Sequence, residues 1–189
     1  MGKQFERIES AHKSFIERQK IFFVATAPPK GRVNVSPKGL SSFRILGDND
    51  VAYLDCTGSG SETRAHLMAA GDKRLTIMFC AFEGDPVILR LYGQAQSLMR
   101  GTQEYAALIP HFDEFPGARQ IVRLTIDLVQ TSCGMGVPLF DYKQERGSLL
   151  GYWTTHGVDK LRKYWAMKNM RSIDDLPTGF LPDSMVPPT

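Results

Sequence analysis

The feature that most constrains this chain is a succession of short apolar segments separated by strong turn signals. Apolar or alternating residues occupy positions 21–27, 32–38, 42–46, 51–55, 74–82, 86–98 and 119–132. Residues 30–31 (Lys-Gly), 47–50 (Gly-Asp-Asn-Asp) and 83–85 (Glu-Gly-Asp) lie between consecutive segments and are typical of tight turns. Strands joined by such turns form hairpins, so the sequence predicts about seven strands in an antiparallel barrel or sandwich rather than a parallel sheet.

Helical signals occur in four places around these strands. Residues 5–19 carry apolar side chains at helical spacing, and residues 62–70 follow Ser61 as an N-cap and precede Gly71. Further helices are predicted at 102–109 and 158–169, and the Pro-rich residues 176–189 are expected to be extended or frayed. We expect residues 1–135 to form one domain and residues 136–189 an extension that packs on it or on a dimer partner.

The composition excludes several classes of protein. A hydrophobic fraction of 42% with a net charge of +3 is typical of a folded globular chain. No apolar run approaches the roughly 18 residues of a membrane-spanning helix, and residues 1–13 lack the apolar core of a signal peptide. The three cysteines have no metal-ligand spacing, which predicts a cytoplasmic protein without a metal site. The near balance of 23 basic and 20 acidic residues gives no reason to expect a nucleic-acid partner.

A candidate anion site lies where the fourth predicted strand ends. A Gly/Ser-rich loop at 57–60 leads to Ser61, Thr63 and Arg64 at the start of a predicted helix. Free N–H groups, hydroxyls and a guanidinium are groups that hold a phosphate, and Lys38 could add a second cation. The alternative is a capped helix with a flexible approach loop and one solvated arginine. The loop matches neither a Walker motif nor a dinucleotide-binding fingerprint.

Five blocks of sequence, taken in order, resemble a known family. RVNVSPKG (32–39), VAYLD (51–55), SETRAH (61–66), RLTIMF (74–79) and RLYGQA (90–95) are similar to the pyridoxamine 5′-phosphate oxidase-like family of FMN-binding split β-barrels. The resemblance covers roughly residues 10–135. It implies a mainly β fold, an antiparallel split β-barrel with short flanking helices. It also implies a homodimer with one FMN in each of two clefts at the subunit interface.

The same resemblance implies which residues bind FMN. The strand that contains Val35 and Ser36 is expected to lie beside the flavin ring, and Tyr53, Leu54 and Asp55 are expected to continue that wall. Ser61, Glu62, Thr63 and Arg64 are expected to hold the phosphate, with help from Lys38. Arg90 lies between apolar neighbours and faces away from them. It is interpreted either as a cationic partner of the flavin or its ligand, or as an outward arginine that is solvated or forms a salt bridge.

Two departures from the family pattern bear on function. Thr63-Arg64 stands where the family usually has Arg-Lys before Ala-His. The tail at 151–169 lacks the tryptophan block and the Arg-Leu-His-Asp-Arg-like motif of the true oxidase, so oxidation of pyridoxamine phosphate itself is not expected. The prediction is an FMN-dependent oxidoreductase of an unidentified small organic substrate. An FMN-binding protein without turnover, for storage or sensing, is the alternative, and a split barrel that binds haem or a deazaflavin is a third possibility.

Overall fold

A computed structural model of the chain describes residues 2–69, 71, 73–113 and 115–180. The strands are β1 (Lys3–Phe5), β2 (Phe22–Thr26), β3 (Asn34–Lys38), β4 (Phe43–Gly47), β5 (Asp50–Cys56), β6 (Arg74–Cys80), β7 (Val87–Met99) and β8 (Ala118–Cys133). The helices are α1 (Ser10–Arg18), α2 (Glu62–Met68), α3 (Gln103–Leu108) and α4 (Ser148–Lys168), and a 3-10 turn spans Ile109–His111.

The strands form one antiparallel sheet in the order β3-β2-β6-β7-β8-β5-β4, with β1 added to β8. The two longest strands, β7 and β8, pair along their length and form its centre. The sheet is not closed, because β3 and β4 stand at its two ends in the described part of the chain. The mainly β, antiparallel split-barrel fold with short flanking helices that the sequence predicted is confirmed.

The core follows from alternation along the strands. In β2, Phe22, Val24 and Thr26 are buried while Phe23 and Ala25 are only partly buried, as a half-buried strand requires. Leu89 and Leu91 of β7 enter the same apolar cluster. A separate apolar cluster forms within the C-terminal extension and contains Trp153, Leu161, Trp165 and Phe180, and Met99 of β7 packs against it. The extension therefore packs on the barrel through a core of its own.

Gly93 and Gly157 each interrupt the regular geometry of a long element, one in a strand and one in a helix. The pairing of β7 with β8 shifts register next to Gly93, where a Cβ atom would collide with the carbonyl oxygen of Thr125. Only glycine allows this close approach. Gly157 interrupts α4 with φ 66° and ψ −177°, a conformation that other residues rarely adopt. The element predicted at 158–169 is thus the second part of a longer helical segment.

Four sequence predictions about local structure need correction. The helix expected at 5–19 begins only at Ser10, because residues 3–5 pair with β8 as an eighth strand. Ser61 precedes α2 as expected, but its side chain makes no capping hydrogen bond. The helix predicted to reach position 70 ends at Met68, and position 70 lies outside the described residues. The end at 176–189 was predicted to be extended or frayed, but Thr178 and Phe180 are buried. Residues 181–189 of that end lie outside the described residues.

Candidate functional site

A cleft of about 860 Å³ opens between β3, the loop after β5 and the segment that follows α4. This volume lies within the range of cofactor and small-ligand sites in proteins. Its described lining includes residues 32–38, residues 58–63 and residues 171–173. Asp55, Cys56, Arg119, Gln120 and Lys168 complete it.

A buried ionic network forms the floor of the cleft. The Asp55 carboxylate accepts hydrogen bonds from Lys38 Nζ at 2.6 Å, Arg119 Nε at 2.8 Å and Gln120 Nε2 at 2.7 Å. Burial alone would raise the pKa of the Asp55 carboxyl, but the charges of Arg119 and Lys38 outweigh burial and hold that pKa well below its usual range. One carboxylate shared by two cations leaves the floor with a net positive charge.

The same network ties the C-terminal extension to the loop after β5. Arg119 Nη1 donates to Asn169 Oδ1 at 2.8 Å, and Asn169 Nδ2 donates to the carbonyl oxygen of Gly58 at 3.0 Å. Trp165 Nε1 donates to Thr57 Oγ1 at 2.7 Å, in a buried contact. These bonds fix the position of the loop relative to the floor of the cleft.

The loop and the start of α2 bring hydroxyl groups to the cleft wall. Ser59, Ser61 and Thr63 all line the cleft. Ser61 is buried, and its hydroxyl has no hydrogen-bond partner in the part of the chain that the structure describes. A buried polar group without a partner costs free energy, so Ser61 is suited to a ligand that supplies one.

The end of α4 and the segment after it supply cations that sequence analysis missed. Lys168 and Arg171 line the cleft opposite β3. The Ile173 N–H donates to the Glu62 carboxylate at 3.1 and 3.2 Å, and Asp174 pairs with the Arg32 side chain and accepts the Arg32 N–H at 2.6 Å. Residues 168–174 therefore bridge α2 and the start of β3 across one side of the cleft. No local sequence signal predicts that Lys168 and Arg171 lie at the cleft, because their position depends on how the C-terminal extension folds back.

The structure brings seven of the eleven predicted site residues to this cleft. They are Val35, Ser36, Lys38, Asp55, Ser61, Glu62 and Thr63. Tyr53 and Leu54 point into the apolar clusters on either face of β5, and both are fully or almost fully buried there. Their backbones pair with β8, so of the predicted wall only Asp55 lines the cleft.

Arg64 is turned away from the lining of the cleft. Its guanidinium donates to Ser97 Oγ at 2.6 Å and lies 5.3 Å from the centre of the Phe180 ring. Burial lowers the pKa of Arg64 to about 10, which still leaves it charged at neutral pH. Arg64 forms none of the ion pairs found among the described residues, so its charge is buried without a carboxylate partner.

Arg90 lies elsewhere, on the partly buried face of β7. Its guanidinium donates to Ser132 Oγ of the neighbouring strand at 3.0 Å, and Arg90 stands opposite Met78 in β6. It is not among the residues that line the cleft. The Leu89 and Leu91 side chains point to the opposite, buried face, as the alternation predicted.

The cleft is chemically suited to an anion with a polar tail. Its described lining combines hydroxyls, backbone groups and the cations Arg32, Lys38, Arg119, Lys168 and Arg171. Burial raises the pKa of the Cys56 thiol to about 12, with a further contribution from Asp55, so this thiol stays neutral. Among the described residues, no group of three or more His, Cys, Asp or Glu side chains is arranged to hold a metal ion. No helix in that part of the chain is both long and apolar enough to cross a membrane.

Comparison with known proteins relates this geometry to a family. Residues 8–133 match the family model for pyridoxamine 5′-phosphate oxidase. A protein of Aspergillus flavus described as pyridoxamine 5′-phosphate oxidase family protein ustO is 37% identical over 191 residues, which cover 92% of this chain and 76% of that protein.

Two solved structures share the fold. HupZ from Group A Streptococcus aligns with a TM-score of 0.50 and 22% identity over 64% of this chain and 91% of HupZ. A protein of Lactobacillus delbrueckii titled as a putative pyridoxamine 5′-phosphate oxidase aligns with a TM-score of 0.51 and 16% identity over 66% of this chain and 94% of that one.

Proposed function

The chain belongs to the pyridoxamine 5′-phosphate oxidase family, and on that premise we propose that it binds FMN in the cleft and uses it to oxidise or reduce a small organic substrate. The observation that carries the proposal is the buried Ser61 hydroxyl, which has no hydrogen-bond partner among the described residues and lies beside a cleft of net positive charge. Such a group is satisfied by a phosphate oxygen, which is a strong hydrogen-bond acceptor.

The phosphate end of the site is assigned to the loop and the extension. The hydroxyls of Ser61 and Thr63 would donate to the phosphate, and Lys168 and Arg171 would bring charge from the other side of the cleft. Arg64 would act through its charge rather than through contact, since its guanidinium bonds to Ser97. This arrangement gives the chain a source of cations other than the Arg-Lys pair that Thr63-Arg64 replaces.

The ring end of the site is assigned to β3 and the ionic floor. β3 stands at one end of the sheet and pairs only with β2 among the described strands, so one edge of its backbone is open to a ligand. Lys38 and Arg119, held by Asp55, would stabilise negative charge on a bound ring system. FMN, when bound, supplies hydride and electron-transfer chemistry that no side chain can provide.

FMN is favoured over haem by the chemistry of the lining. The described residues that line the cleft include no histidine or methionine, and their cysteine, Cys56, is a neutral thiol. The usual axial ligands of haem iron are therefore lacking from this lining. The cationic floor and the hydroxyl-bearing loop are instead suited to a phosphorylated flavin.

We also propose that the chain is a homodimer with the flavin at the subunit interface. The outward face of β2, β3 and β6 carries Val35, Phe23 and Met78, and Val35 is 60% exposed. Exposed apolar side chains on a sheet face are typical of an association surface. Val35 also lines the cleft, so a partner on this face would adjoin the flavin.

Titration of the flavin-free protein with FMN tests the phosphate assignment. Ser61→Ala is expected to weaken FMN binding about 10- to 100-fold, the equivalent of one hydrogen bond to a charged group. The same variant should keep the stability of the flavin-free protein, because the hydroxyl has no hydrogen-bond partner to lose in the part of the chain that the structure covers. Ser14→Ala, on the exposed side of α1, is the matched control and should leave FMN affinity unchanged.

The outcome is decisive in either direction. Equal FMN affinity in the wild type and in Ser61→Ala would refute the phosphate assignment. Turnover is tested separately with the FMN-loaded protein: bleaching of the visible flavin bands by NAD(P)H followed by reoxidation in air supports an oxidoreductase. Stable flavin bands with every donor tried would favour the alternative, a binding protein without turnover.

A further inference from the structure

A second cavity adjoins the flavin cleft and is bounded on one side by the C-terminal extension. It has a volume of about 830 Å³ and lies between residues 18–21, residues 37–40, residues 82–84 and residues 140–149. Pro37 and Lys38 line both cavities. The side chain that helps form the floor of the flavin cleft is thus also part of the wall of this second cavity, which we term the extension cavity.

The outer wall of the extension cavity is fixed to the barrel at two points. The Phe140 N–H donates to the Phe82 carbonyl oxygen at 2.9 Å, and the two rings lie 5.6 Å apart. The Tyr142 N–H donates to Glu83 Oε1 at 3.0 Å. A segment held in this way leaves the aromatic side chains of Phe140 and Tyr142 at a cavity whose other walls come from the end of α1, the barrel and the rest of the extension.

The charges around the extension cavity favour an anion. Its described lining has five basic side chains (Arg18, Lys20, Lys38, Lys143 and Arg146) and three acidic ones (Glu83, Asp141 and Glu145).

Two of these acidic groups already accept hydrogen bonds, and of the basic groups only Lys38 has an ion-pair partner among the described residues. Glu83 and Glu145 accept hydrogen bonds from Tyr142, the latter from the hydroxyl at 3.1 Å. Arg18 and Lys20 form no ion pair with any described residue. The Lys20 ammonium lies 5.6 Å from the centre of the Tyr142 ring, which places a cation beside the aromatic wall.

We propose that the extension cavity binds a small organic anion with a flat apolar body and that it is the substrate site of this protein. The apolar body would pack on Phe140 and Phe82, and the anionic group would pair with Lys20 and Arg18. The assignment as a substrate site rests on the proposed flavin site, because the two cavities meet at Lys38.

Calorimetric titration of the full-length, FMN-free protein tests the anion site. The probes are 1-naphthoate and its uncharged analogue 1-naphthamide, which share one ring system. Naphthoate is expected to bind at least about tenfold more tightly than naphthamide, since only naphthoate can form a charge-assisted contact. Lys20→Met, which keeps the apolar stem, should abolish this preference. Lys13→Met in α1, whose ammonium pairs with Asp48 outside the cavity, should retain it.

Two results would overturn the inference. One is equal binding of the two probes by the wild type, or an equal preference in Lys20→Met and Lys13→Met. The other is a wild type that is a dimer, a Phe140→Ser variant that is a monomer, and no binding of naphthoate to either form. That result would make the cavity an interface between copies of the chain.

Failure of the flavin proposal is recognised separately. Lys20 does not line the flavin cleft, so Lys20→Met should keep wild-type FMN affinity. Selective naphthoate binding by a protein that takes up no FMN would retain the anion site and refute the flavin proposal. FMN uptake without selective naphthoate binding would retain the flavin proposal and refute the anion site. In the FMN-loaded protein, naphthoate should also perturb the visible flavin bands, and unperturbed bands at saturation would contradict the substrate-site assignment.

Discussion

Asp55→Asn is expected to destabilise the protein strongly, and the structure indicates how much. The Asp55 side chain is 3% exposed and is bonded to Arg119, which is 5% exposed, and to Lys38, which is 20% exposed. The substitution leaves two largely buried cations without a counter-charge. Breaking a buried ion pair by removing one partner costs about 3–5 kcal/mol, a large fraction of the stability of a typical domain.

The same strand provides a matched control. Asp50 also pairs with an arginine of β8, but its side chain is 24% exposed and that of its partner, Arg123, is 46% exposed. Solvent screens this pair, so Asp50→Asn should cost no more than about 1 kcal/mol. Both substitutions remove one carboxylate from one strand and differ mainly in burial.

Urea unfolding followed by circular dichroism measures the difference. The midpoint of Asp55→Asn should fall well below that of Asp50→Asn at an unchanged slope. In a thermal scan, Asp55→Asn should lower Tm by about 6–20 °C for a chain of this length. Equal losses of stability in the two variants would refute the conclusion that the floor of the cleft is a buried ionic network.

The remaining predictions concern pH, the extension and assembly. Because the pKa of Asp55 is lower in the folded than in the unfolded protein, its contribution to stability is present above the unfolded pKa and is lost as the pH falls towards the folded pKa. The wild type should therefore lose more unfolding free energy than Asp55→Asn between about pH 5 and pH 3. Parallel curves of unfolding free energy against pH for the two proteins would contradict this. Trp165→Phe removes a buried hydrogen bond to Thr57 and should cost about 1–3 kcal/mol in urea unfolding, whereas an unchanged midpoint would mean that the extension does not stabilise the loop. Val35→Glu should convert a dimer of 21.2 kDa subunits into a folded monomer in size-exclusion chromatography, and a dimer that persists would exclude this face as the interface.

The strand pattern could be predicted from sequence because it depends on local signals. Alternation within β2 and β7 and the turns at Gly31 and Gly84 fix the hairpins, and both glycines have positive φ. The local pattern of hydroxyl and basic residues predicted Lys38 as a cation of the site, and the family resemblance predicted Asp55 there. Lys38 Nζ lies 2.6 Å from Asp55 Oδ1. β1 was missed because a strand of three residues is defined by its distant partner, β8, rather than by its own composition.

The parts of the site that were not predicted all depend on contacts between distant parts of the chain. Arg119 begins a strand whose apolar pattern was recognised, but nothing local indicates that its side chain bonds to Asp55. Lys168 and Arg171 come to the cleft because Trp165 and Asn169 dock the extension on the loop after β5. Helical spacing predicted the end of α4 and could not predict where that helix would pack.

Comparison of FMN with riboflavin tests the central claim most directly, because the two differ only in the phosphate that the cleft is proposed to hold. Equilibrium titration of the flavin-free protein should give an affinity for FMN at least about 100-fold higher than for riboflavin, since two or more charge-assisted contacts are lost with the phosphate. Equal affinity for the two flavins, or no binding of either, would contradict the account.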